Sequence, residues 1–283
     1  MALTINTNIS SLITQRNLTN ATNALTVSLE RMSTGYKINH SKDNAAGFSI
    51  ASNWKTLLGS IDVASENASM GLDLLTTAEE SYALITSHLQ RVRDLTEQAA
   101  NATYGTTSLA AIKQEIQARL EEIDRISANT EYNGIELMKN GTPALRLQVG
   151  INGDSNSAIN LESSLFQSAR ATALVGAAAD SFASSWTRID NTDIASKLAI
   201  IDAGLTNISN RVTKLGAAQN KVQSALDSLT VQSENLTSSL STIRDTDVAQ
   251  ESSKYIQAQI LQQASATLLS TANQSPSIAL NLI

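Results

Sequence analysis

Two seams of apolar residues, each about six heptads long, leave this chain few folds to choose from. The first runs Trp54, Leu57, Ile61, Ala64, Ala68, Gly71, Leu75, Ala78, Tyr82, Ile85, Leu89, Val92, Thr96, Ala99 in alternating steps of three and four. Only Gly71 and Thr96 are not apolar. The second runs Ile194, Leu198, Ile201, Leu205, Ile208, Val212, Leu215, Gln219, Val222, Leu226, Leu229, Ser233, Leu236, Leu240, Ile243, broken only by Gln219 and Ser233. At about 1.5 Å per residue each predicts a helix of roughly 70 Å. Their near-equal length predicts that they lie side by side, although they come from opposite halves of the chain.

A shorter amphipathic stretch follows the first seam, with Leu109, Ile112, Ile116, Leu120, Ile123 and Ile126 on one face. The connection over residues 101–108 contains Gly105 and is short enough for an antiparallel helical hairpin. The period then changes to two. Asn133-Gly134 and Asn140-Gly141 are turn signals, and residues 135–138, 145–149 and 158–161 read as short strands, a small β-hairpin with room for a third strand. Residues 162–190 are rich in Ala and Ser, weakly periodic, and read as a short variable segment. Proline, which breaks helix interiors at about 3 kcal/mol, occurs only at 143 and 276, so nearly everything else is free to be helical. Aromatics supply 4% of the residues, so packing must come from many small and aliphatic contacts, which suits long helices better than a sheet-centred core.

The two ends differ from the middle. Residues 3–34 offer Ile5, Ile9, Leu12, Leu18, Leu25, Leu29 and Met32, and residues 248–272 offer Val248, Ile256, Ile260, Ala264 and Leu268, all embedded in Ser, Thr, Asn and Gln. Isolated helices this thinly apolar are marginal in water. Polar joints at residues 35–47 and 244–247 separate the ends from the middle, and Asp247 with Gln250 resembles a capping box restarting a helix. If the long helices pair, the joints are neighbours. The expected organisation is mainly α, a long antiparallel coiled-coil bundle with a small β-hairpin. It has two discontinuous domains: a terminal one from residues 1–46 with 244–283, and a helical rod from residues 47–243, its hairpin near 133–161 and its variable segment near 162–190.

Charge and composition narrow the function. A net charge of −6 without clustered Lys or Arg argues against nucleic acid and against an anionic membrane surface. There is no run of about 18 apolar residues to span a membrane, and the first thirty residues lack a signal peptide's basic and apolar regions. No cysteine is present, and His40 and His88 lie far apart, so no cofactor or metal site is expected. Carboxylate neighbours such as Glu79-Glu80 and Glu121-Glu122 read as solvated helix faces rather than catalytic pairs. One patch has two readings. Residues 89–95 place Arg91 and Arg93 off the seam near the end of the first long helix, where Glu115 and Arg119 on the antiparallel third helix can lie alongside. The arrangement reads either as an interhelical surface salt bridge worth about 0–1 kcal/mol or as a docking surface.

Several motifs together resemble those of bacterial flagellins. They are Ile5-Asn6-Thr7-Asn8, Arg31-Met32-Ser33-Thr34-Gly35-Tyr36-Lys37-Ile38-Asn39, Lys42-Asp43-Asn44-Ala45-Ala46-Gly47, and residues 89–95. Residues 119–126, Tyr132-Asn133-Gly134, Leu215-Gly216-Ala217-Ala218-Gln219-Asn220, Asp245-Thr246-Asp247 and residues 258–264 continue the pattern. The resemblance spans nearly the whole chain. It implies a non-catalytic subunit of a helical homo-polymer, the motility filament, secreted without a cleavable signal and lacking the outer domains of longer relatives. Implied partners are the flagellar type III export apparatus, a cytoplasmic chaperone at the C-terminal segment, the filament cap, the hook-filament junction proteins, and a vertebrate innate receptor at Gln90, Arg91, Leu95, Gln98 and Glu115. The seam of the rod domain would be Trp54, Leu57, Ile61, Leu75, Ile85, Leu89, Leu198, Ile201, Leu205, Ile208, Leu215, Leu226, Leu229 and Leu236, and assembly would rest on Ile5, Ile9, Leu12, Leu25, Ile256, Ile260 and Leu268 at the ends. The rival readings are a hook-associated junction protein and, from another class, an adhesin or enzyme displayed on a filament.

Overall fold

A computed structural model describes residues 7–101, 103–139, 143–176 and 191–280, with side chains from 194 to 274 in the last stretch. The elements are α1 (Ile9–Thr34), α2 (Ala45–Ala99), α3 (Thr106–Asn129), β1 (Glu131–Tyr132), β2 (Ile135–Glu136), β3 (Leu145–Gln148), β4 (Ala158–Leu161), the short α4 (Ala171–Leu174), α5 (Asn191–Arg244) and α6 (Val248–Leu280). The two expected long helices are 55 and 54 residues long. The chain divides into two compact units, Met1–Leu58 with Glu234–Ile283, and Gly59–Ser233.

In the second unit α2, α3 and α5 pack around one core. Arg93 bonds Asp202, Leu89 packs at Gly204, and Glu79 bonds Gln219. As one number falls the other rises, so α5 runs antiparallel to α2. Arg91 with Glu115 and His88 with Arg119 give the same sense for α3. Every seam residue of α2 from Ile61 to Ala99 is buried. Thr96, polar in that stripe, donates its hydroxyl to the Val92 carbonyl at 2.7 Å and so meets no unpaired burial. On α5 Ile201, Ile208, Leu215, Val222 and Leu229 are buried, and Leu198, Leu205 and Leu226 half-buried.

The β region departs from one hairpin with a third strand. There are two separate two-stranded antiparallel pairs, β1 with β2 and β3 with β4. The first closes over Asn133-Gly134, at φ 49° and 78°, the left-handed pair that a two-residue hairpin turn requires. It starts earlier than the sequence pattern suggested, at Glu131, because the turn sets the register. Leu137, whose N–H donates to the Thr130 carbonyl at 3.0 Å, and Met138 then bury in the core. The Asn140-Gly141 signal lies outside the described residues. The β3–β4 pair lies on α2: Leu147 fills the space where Gly71 has no side chain, and Asn67 donates to the Gln148 carbonyl at 3.4 Å.

Part of the segment read as variable is packed against the helices. Leu165, Phe166, Ala169, Ala171, Leu174 and Val175 are buried in the core. The buried Tyr82 hydroxyl donates to the Leu165 and Gln167 carbonyls, and Arg211 donates to those of Gln167 and Ser168. Asp124 accepts from the Ala171 N–H at 2.7 Å. Residues 177–190, Trp186 included, lie outside the described residues.

The first unit is built differently. Asn8 caps α1 by accepting from the Ser11 N–H, and Gly35 ends it in the left-handed region at φ 73°. The two joints meet: Lys37 N donates to the Arg244 carbonyl, Thr246 N to that of Gly35, and the Arg244 guanidinium stands 4.0 Å from the centre of the Tyr36 ring. Asp247 caps α6 through the Ala249 and Gln250 N–H groups. α6 runs on past Pro276, since one proline removes one ladder bond and need not end a helix.

Candidate assembly and docking surfaces

Helices α1 and α6 pair antiparallel through small residues. Ser28 meets Glu251, Gln262 meets Thr22, and Asn8 donates to the Ala272 carbonyl. The buried positions are Ala21 and Ser28 on α1 and Glu251, Ala258 and Ser265 on α6, each seven residues from the next. Small side chains let the two backbones approach, which sends the large apolar ones outward. Of the predicted terminal assembly positions, Ile9 is 64% exposed, Leu12 62%, Ile256 53%, Ile260 59% and Leu268 60%. Leu25 is half-buried, and Ile5 lies outside the described residues. A groove of about 850 Å³ runs between the helices, lined by Ala24, Val27, Leu261 and Leu268 among others.

Glu251 is the one charged residue buried here among the described residues, at 3% exposure. Burial pushes its carboxyl up. The Ser28 hydroxyl at 2.8 Å, Lys254 at 3.2 Å and Arg31 at 3.8 Å outweigh that, and the net effect holds it below the ordinary glutamate value. In the joint, Asp43 accepts from the His40 and Asn39 N–H groups and is likewise held low, and His40 Nε2 lies 2.9 Å from Glu30.

The patch on the second unit is partly an ion-pair network. Arg91 Nε bonds Glu115 at 3.0 Å, Arg119 lies 3.8 Å from the same carboxylate, and Gln98 donates to the Tyr104 hydroxyl at 2.8 Å. Gln90, Arg91 and Gln98 are exposed and Glu115 half-buried. Leu95 is only 1% exposed, so it supports the patch from inside the core and offers no surface of its own. Arg93, beside it, is tied to Asp202 at 2.7 Å. Of the predicted seam, Trp54, Leu57 and Leu236 are half-buried in the first unit. Sequence reasoning missed the small-residue seam, because Ala and Ser at heptad spacing look like gaps in an apolar stripe. It also missed Tyr82 and Arg211 as anchors of residues 165–168. Among the described residues no group of His, Asp and Glu is arranged to hold a metal ion, and no helix is long and apolar enough to cross a membrane.

Residues 5–142 match the bacterial flagellin N-terminal helical region, and residues 198–283 the bacterial flagellin C-terminal helical region. The chain is 33% identical to a flagellin of Bacillus subtilis strain 168 and 34% identical to one of Halalkalibacterium halodurans, in each case over 99% of both chains. Among solved structures, one from Vibrio parahaemolyticus, provisionally described as a flagellar hook-associated protein, shares the fold with a TM-score of 0.60 at 11% identity, over 72% of this chain and all of that one.

Proposed function

The chain belongs to the bacterial flagellin family, and from that premise we propose that it is the structural subunit of an extracellular flagellar filament, a helical homo-polymer serving motility, without catalytic activity. The observation that carries the reading is the outward-facing apolar surface of the paired terminal helices. A pair joined by alanine and serine buries little within one chain. Neighbouring copies offer the apolar area that would offset the entropy of ordering it. The terminal pieces, residues 1–46 and 244–283, form the inner assembling domain in this reading, and residues 47–243 the rod.

The finer partners follow from the same reading. The exposed apolar face of α6 suits a cytoplasmic chaperone that shields it before the type III export apparatus takes the chain. The cap and the hook-filament junction proteins bound the polymer. Gln90, Arg91, Gln98 and Glu115, with Leu95 beneath them, form the surface for a vertebrate innate receptor. The hook-associated alternative has less support, since the likeness there is of fold at 11% identity, whereas the full-length relatives above are flagellins.

Depolymerised protein, seeded with short fragments and viewed by electron microscopy, tests the reading. Long helical filaments are expected. Rings or caps of a few subunits, or no polymer, overturn it.

A further inference from the structure

Beside its buried seam, about 100–130° round the helix, α2 carries a second heptad stripe. Val63, Met70 and Leu84 are 56%, 52% and 55% exposed and fall on one line, with the half-buried Thr77 between the last two. Exposed large apolar residues are ordinary when scattered, but three on one helical line are not. Between them, at steps of three and four, stand the exposed Glu66, Asp73 and Glu80. None of these carboxylates has a hydrogen bond or ion pair among the described residues, and α2 has no Lys or Arg between Lys55 and Arg91.

Helix α5 has a stripe of the opposite kind on its own outer side. Lys214 and Lys221 are exposed and without a partner among the described residues. Ala217 and Ser224 alternate with them, and Val231, 56% exposed, follows. The next acid along α5, Asp227, is engaged by Gln223 at 3.0 Å. The lysines are seven residues apart, about 10.5 Å along the helix, the same interval that separates Glu66 from Asp73 and Asp73 from Glu80.

Both stripes point away from the α2–α5 seam, so one chain cannot bring them together. We infer that the acidic and apolar stripe of α2 docks on the basic, small-residue stripe of α5 in a second copy of this chain. The three carboxylates take the two lysines in register, and Met70, whose flexible side chain fits irregular gaps, lies over Ala217 or Ser224. The two faces are different, so the contact is heterologous, and repetition of it gives an open helical array rather than a closed dimer. Pairs this exposed contribute little energy singly and act mainly by steering and by fixing register. This inference rests on the filament reading above.

Block charge reversal tests it. One variant carries Glu66→Lys, Asp73→Lys and Glu80→Lys. A second carries Lys214→Glu and Lys221→Glu. A third carries all five. Critical concentration and seeded elongation are read by sedimentation and microscopy, and circular dichroism of the monomers confirms the fold, which these side chains do not hold. Each single block should raise the critical concentration about tenfold or more, since like charges then face each other. The combined variant should return to near the parent value, because every subunit then carries both swapped faces. Met70→Ser should weaken assembly without any change of charge. Single blocks that assemble like the parent, or a combined variant no better than the weaker block, overturn the inference and leave the filament reading standing. A parent that never polymerises overturns both.

Discussion

At the scale of the residue, Glu251 stands in an environment that responds to pH. It is a carboxylate placed in a seam of alanine and serine, with Ser28, Lys254 and Arg31 around it. Its folded-state pKa lies below its unfolded value. Such a group contributes its stability above the unfolded pKa and loses it as pH falls through the folded one. Thermal melting of the α1–α6 pair, followed in assembled protein by far-ultraviolet circular dichroism, should therefore hold steady from neutral pH to about pH 5 and drop below about pH 4. Glu251→Gln should lower stability at pH 7 by about 1–3 kcal/mol, since Arg31 and Lys254 lose their counter-charge, and should flatten the acid limb. An unchanged acid limb in that variant would assign the effect to other groups. This residue was legible in the sequence only as one more polar letter between apolar ones. The heptad positions of α2 were legible almost singly, because a large apolar residue every three or four positions has one physical meaning.

At the scale of the element, the long helices followed from periodicity, whereas the hairpins and the segment after them did not. β1–β2 could be placed from Asn133-Gly134, since few other dipeptides tolerate two consecutive left-handed conformations. The separation of β3–β4 from it depends on where those strands sit on α2, which no local pattern encodes. Gly71 illustrates this. In the stripe it looks like a defect, and in the structure it is the seat of Leu147. A β-carbon there would overlap Leu147 Cδ1. Gly71→Ala would gain about 1 kcal/mol of helix propensity, but the overlap should cost more, leaving the rod destabilised by about 1–2 kcal/mol net. Leu147→Ala alone should cost about 2–3 kcal/mol for the lost burial. In the double variant the two losses should fall well short of adding, because the smaller residue 147 makes room for the new methyl. Denaturant melts of the four proteins measure this directly, and strict additivity would mean that the hairpin does not rest on Gly71. Residues 165–175 show the complementary failure. Their apolar letters were visible, but the carbonyls that hold them belong to a loop, and the donors Tyr82 and Arg211 come from helices more than forty residues away in sequence.

At the scale of the whole molecule, the two units are stabilised by different means. The unit Gly59–Ser233 buries a continuous core of large side chains: Tyr82, Leu75, Ile85, Leu89, Ile116, Leu120 and Phe166 are all at most 1% exposed. Helix α1 buries only Ala21 and Ser28. Hydrophobic stabilisation scales with the apolar area removed from water, at about 25 cal/mol per Å², so a seam of alanine and serine gains little. Ordering a residue costs about 1–2 kcal/mol in backbone entropy, whatever its side chain. A lone chain should therefore keep its rod folded and let its ends open, and a polymer that covers Ile9, Leu12, Ile256, Ile260 and Leu268 should close them. Limited proteolysis of dilute monomer should trim both ends and leave a fragment of roughly residues 45–240, while filaments of the same protein resist. Seeded polymerisation should be accompanied by a rise in helical ellipticity to which α1, of 26 residues, and α6, of 33, contribute. Glu251→Gln should delay that rise without altering the melting of the protease-resistant fragment, because the fragment does not contain residue 251. Protection of residues 7–34 in dilute monomer, or polymerisation with no gain in ellipticity, would show that the ends fold on their own and that assembly merely collects them.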